Sequence, residues 1–82
     1  MRAPKGWGRS VQRYFFTIHG QDRVEDDPNG VYLLDVSVAF SCAEDKIRKL
    51  RKKGAYNDLS LVMIVTDKAG QTVLSLPFFP GQ

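Results

Sequence analysis

One cysteine, Cys42, stands in the 82 residues, so no disulfide can form within the chain. One histidine, His19, is the only other soft metal donor, and two isolated soft donors do not make a zinc or copper site. No apolar run approaches the ~20 residues that span a bilayer, and no membrane association is expected. The first ten residues, MRAPKGWGRS, carry positive charge without an apolar core, so no secretory signal is expected there. A lone thiol fits a reducing compartment, and the chain reads as cytoplasmic. His19 could serve as a general base, but no nucleophile or orienting carboxylate is placed near it by spacing, so the expected class is non-enzymatic, without cofactor or metal.

What is present is a strongly patterned small domain. Eighty-two residues make one domain. Residues 1–10 read as a flexible basic arm carrying Trp7, and residues 11–79 as a single α+β unit. VQRYFFTIH at 11–19 alternates Tyr14, Phe16 and Ile18 with Arg13, Phe15 and Thr17, the period of a strand. GQDRVEDDPNG at 20–30 is rich in turn formers, and VYLL at 31–34 is a short strand able to pair with the first. Asp35 or Ser37 can cap a helix over 36–53, whose apolar stripe is expected at Val36, Phe40, Ala43, Ile47 and Leu50. Gly54 can stop it. LSLVMIVT at 59–66 and QTVLSL at 71–76 read as a hairpin turned by Asp67-Lys68-Ala69-Gly70, with Pro77 and Pro80 beyond it. The predicted order is β-β-α-β-β, a small antiparallel sheet with one helix on one face.

One helix cannot cover both faces of a sheet. Tyr14, Phe16, Ile18, Leu61, Met63, Leu74 and Leu76 are assigned to the helix face. Phe15, Val62, Ile64 and Val73 fall on the other, too apolar a set to leave in water, and are the candidate interface of a homodimer. Trp7 or the Phe78-Phe79 tail could cover that face instead.

Charge is segregated. The net value is only +3, but residues 22–35 hold five acids against Arg23, and KIRKLRKK at 46–53 holds six bases. Lys46, Arg48, Lys49, Arg51, Lys52 and Lys53 are the candidate phosphate contacts if nucleic acid is bound. A basic helix end that complements the dipole and keeps the domain soluble explains the same residues and is favoured. The acidic loop lacks the spacing of a calcium loop and reads as a solvated turn. His19 and Cys42 read as structural side chains.

Three motifs carry a resemblance: Arg13-Tyr14-Phe15-Phe16; Asp27, Gly30, Leu33 and Asp35 in D-x-x-G-x-x-L-x-D; and Val65-Thr66-Asp67 with Gly70 and Leu76-Pro77-Phe78. Together they resemble a bacterial family of small domains of unknown function, common in nodulating and related soil bacteria. The helix departs from that family's alanine- and glutamate-rich pattern by ending in KIRKLRKK. The resemblance implies a fold and a bacterial cytosolic setting and no activity. The element order also resembles, at the level of topology, the partial RNase H fold of HicB-type antitoxins. The leading expectation is an interaction or regulatory domain that self-associates through its sheet and meets a protein partner of unknown identity. The alternative is a nucleic-acid-binding accessory protein using the basic helix end.

Overall fold

Alternation in the first strand, β1 (Gln12–His19), buries Tyr14, Phe16 and Ile18 on one side and leaves Arg13, Phe15 and Thr17 on the other. The computed structural model, which describes residues 11–80, builds a five-stranded antiparallel sheet around this strand. Two short strands, β2 (Val24–Glu25) and β3 (Val31–Leu33), share its outer edge, with Ile18 opposite Glu25 and Tyr14 opposite Val31. The turn-rich stretch before residue 30 thus contains a strand that the composition of GQDRVEDDPNG conceals. On the other edge β4 (Val62–Thr66) pairs with β1, and β5 (Thr72–Pro77) pairs with β4. One helix, α1 (Val36–Arg51), crosses a single face. The α+β class and the β-β-α-β-β frame are as expected; the basic arm at 1–10 lies outside the described residues.

The helix begins where predicted. Asp35 is the cap: its backbone is extended and its side chain accepts from the Val38 N–H at 3.0 Å. The buried stripe is Ala39, Ala43 and Ile47, flanked by the half-buried Cys42 and Leu50. Val36 and Phe40, expected in that stripe, remain 39% and 41% exposed. The reason is size. Tyr14, Phe16, Met63 and Phe78 fill the space beneath the helix, so the contact surface needs alanines, and the larger Phe40 lies to one side, next to β5. The helix ends at Arg51 with Lys52 as its cap, and Gly54 turns the chain at φ +80°.

The strand expected at 59–66 begins only at Val62. Asp58 takes the Ser60 N–H and hydroxyl at 2.9 and 2.8 Å, and its carbonyl takes the Leu61 N–H. That turn leaves Leu59 exposed while Leu61 is fully buried. The β4–β5 hairpin closes on Asp67, whose side chain accepts from the Ala69 and Gln71 N–H groups, with Gly70 at φ +83°. A bulge opposite Val65 and Thr66 interrupts the alternation at Val73 and leaves Leu74 half-buried rather than buried. Phe78 lies in the core on the helix side, fully buried, with its ring centroid 6.1 Å from that of Tyr56. It therefore does not cover the opposite face.

Candidate interaction surfaces

The polar residues of the motifs hold the backbone. In an antiparallel ladder, successive N–H groups point to opposite edges. On β1 the odd residues 15, 17 and 19 face β4, and Tyr14, Phe16 and Ile18 face outward. Residues 14 and 18 meet β3 and β2; Phe16 falls in the gap between them. Asp27 closes the gap: one carboxylate oxygen accepts from the Phe16 N–H at 3.0 Å and the other from the Gly30 N–H at 3.1 Å. Gly30 has φ +68°, and a Cβ there would lie 2.9 Å from both the Phe15 ring and the Tyr14 carbonyl. Arg13 donates twice to the Asn29 carbonyl, at 2.9 and 2.6 Å, and its guanidinium lies over the Phe15 and Tyr32 rings. At the other end of β1, Asp58 accepts from the Gln21 N–H, and hydrogen bonds from Ser60 and Gln21 hold its carboxyl below the usual carboxylate range.

Beyond these structural roles, two surfaces stand open. On the face away from α1, Val62 and Ile64 form the centre, with Thr17 and Ser75 beside Ile64 and His19 and Pro77 beside Val62. Both are half-buried. Phe15 lies at the margin, wedged against Gly30 and beneath Arg13. Val73, at the bulge, packs against the buried cluster, so of the four residues assigned to this face Val62 and Ile64 are left at its centre.

The basic helix end divides between two flanks. Lys46, Lys49 and Lys53 line a groove whose opposite wall is the acidic loop of Glu25, Asp26 and Asp27. Lys46 also sits 5.4 Å from the centre of the Phe16 ring. Arg48, Arg51 and Lys52 line the other flank with Tyr56, Asn57 and Phe79, and Arg51 lies 4.7 Å over the Phe79 ring. Asp45 bridges the flanks, pairing with Arg48 at 2.9 Å and Lys49 at 3.0 Å, and these bonds lower its carboxyl. The six residues are therefore not one patch. Their segregation has no signal in the sequence beyond helical spacing, because the acidic wall arrives from a loop about twenty residues earlier.

A further polar cluster was missed in the sequence. Tyr56 donates to Glu25, which pairs with Arg23 at 3.0 Å, and the Arg23 guanidinium stacks on the Tyr56 ring. The bond to Glu25 raises the phenol above its usual range. The cluster ties β2 to the loop after α1. Cys42 is half-buried against the core and His19 is exposed. Among the described residues no three histidine, cysteine or acidic side chains converge as metal ligands, and no helix is long and apolar enough to cross a membrane.

These features define a one-helix α+β domain whose motif residues maintain loops and caps. The chain belongs to the family described as "Domain of unknown function (DUF6894)", whose model matches residues 13–79 and so spans all three motifs. No curated protein and no solved structure matches it.

Proposed function

We propose that this domain is a non-enzymatic interaction module that pairs with a second copy of itself through the sheet face away from α1. The observation that carries this reading is the juxtaposition of Val62 and Ile64 on a face with no described element over it. The face is also poor in charge. Across β1, β4 and β5 its one permanent charge is Arg13, already held by the Asn29 carbonyl. A two-fold axis brings like against like, so a neutral apolar face suits a second copy better than a charged one would. The non-enzymatic reading is supported by the work the carboxylates already perform: Asp27, Asp35, Asp58 and Asp67 each hold backbone N–H groups. Sedimentation at about 50 µM tests the dimer, a range in which an interface of modest area associates. Ile64→Asp is expected to give a folded monomer; a wild-type monomer at that concentration refutes the reading.

The alternative, a nucleic-acid accessory protein, is supported by the crevice in which Arg48, Arg51 and Lys52 meet the Tyr56 and Phe79 rings. It is weakened by the acidic wall facing Lys46, Lys49 and Lys53. Replacing Arg48, Arg51 and Lys52 with Glu should abolish salt-dependent retention on heparin if phosphates are contacted.

A further inference from the structure

A third open surface is the free edge of β5 and the groove between it and α1. Among the described residues β5 pairs only with β4. The Phe78 N–H bonds the Leu61 carbonyl, which sets the parity of the ladder: residues 74, 76 and 78 turn toward β4, and Ser75 and Pro77 turn outward. Ser75 thus presents both an N–H and a carbonyl at the edge, and Pro77 a carbonyl. Proline is placed where its missing N–H costs the sheet nothing. Above this edge runs a groove of about 480 Å³, with Phe40, Ile47 and Leu76 among its apolar walls. Phe40 is among the large apolar side chains that the core leaves exposed. Glu44 and Arg48 follow Phe40 at successive helical turns, and with Arg51 the groove opens into the crevice that also holds Lys52. One end is apolar and the other basic. Arg48 is shared with Asp45, whereas Arg51 rests on the Phe79 ring.

The geometry points to a docking site for an extended, acidic segment of a partner protein, added as a sixth strand on β5. Its backbone would exchange hydrogen bonds with Ser75, an apolar side chain would enter beside Phe40 and Leu76, and carboxylates would meet Arg51, Arg48 and Lys52. Strand addition of this kind derives affinity from the main chain and specificity from alternate side chains. The bases, which outnumber Glu44 at that end, select an acidic segment.

The test uses the full chain and fluorescein-labelled seven-residue peptides that alternate Val and Thr and end in two Asp, with a control ending in two Lys. Anisotropy should rise with the acidic peptides only, and the Ser75 amide should become protected from hydrogen exchange. Ser75→Pro removes the donor, and the double change Arg48→Glu with Arg51→Glu reverses the charge. Each should weaken binding by about tenfold or more, as expected for losing a main-chain bond or a charge pair. If Ser75→Pro fails to fold, the charge reversal carries the test. Ile64→Asp should leave peptide binding intact, which separates this site from the dimer face. Equal binding of the lysine peptide, no binding of any acidic peptide up to about 1 mM, or protection of Ser75 by self-association without peptide would each overturn the assignment, the last by placing a second copy on the edge.

Discussion

Asp27 reaches eleven residues back along the chain to satisfy Phe16, and this separates it from the other loop acids. Removing a partner from a half-buried N–H costs about 1–3 kcal/mol. Asp27→Ala is expected to destabilise the domain by that amount in urea titration. Asp27→Asn should cost less, since one amide oxygen can still accept. Gly30→Ala should be at least as costly, because it adds strain at φ +68° to the close approach of Phe15. Cys42→Ser, by contrast, should alter stability by only about 1 kcal/mol, since the thiol is half-buried at the edge of the core. Asp58 supplies a pH dependence. Its carboxyl is depressed in the fold by Ser60 and Gln21, so its contribution is complete above the ordinary carboxylate range and is lost as pH falls through the folded value. Thermal unfolding should show Asp58→Asn less stable than wild type at pH 7, with the gap narrowing in acid; a gap that persisted there would assign the effect to another cause. The cap at Asp35 and the turn at Asp67 were legible because each acts on its own neighbours. Asp27 was not, because its partner is chosen by the gap between two strands, one of which the sequence did not reveal.

At the scale of elements, periodicity located the helix and four of the five strands, and erred where bulk was taken for burial. Val36 and Phe40 have the helical spacing of a core stripe, yet they stay exposed, and Ala39 joins the expected Ala43 and Ile47 in it. Hydrophobicity marks a side chain as able to be buried; the room left by the facing sheet decides which one is. Adding methylenes at a contact built for alanine costs about 1–3 kcal/mol. Ala43→Leu should therefore lower the unfolding midpoint markedly, while Phe40→Leu, at a site 41% exposed, should shift it little. The reverse ranking would return Phe40 to the core contact. The same distinction bears on the dimer face. Strand alternation put Val62 and Ile64 opposite the buried Leu61 and Met63, but it could not foresee the bulge that turns Val73 toward the core or the guanidinium over Phe15.

For the whole molecule, charge segregation is the feature that the linear sequence displays without its spatial arrangement. Six bases in one helix end resemble a phosphate-binding patch, but folding places three of them across a groove from Glu25, Asp26 and Asp27. Those three lysines complement the domain's own loop, and Arg48, Arg51 and Lys52 are left to face outward. Charge reversal on the two flanks should then have different consequences. Replacing Lys46, Lys49 and Lys53 with Glu sets like charges across the groove, and the unfolding midpoint should fall, with partial recovery in high salt as the repulsion is screened over a Debye length of about 3 Å at 1 M. Replacing Arg48, Arg51 and Lys52 with Glu should cost less, chiefly the Arg48–Asp45 pair and the complement to the helix dipole, with little recovery from relief of repulsion across the groove, and should act on whatever binds that flank. Each swap changes the net charge equally, so a difference between the two triple variants isolates the groove from the overall charge. Equal destabilisation, with equal salt recovery, would show that the acidic loop and the lysine flank do not sense one another and would return all six bases to a single surface.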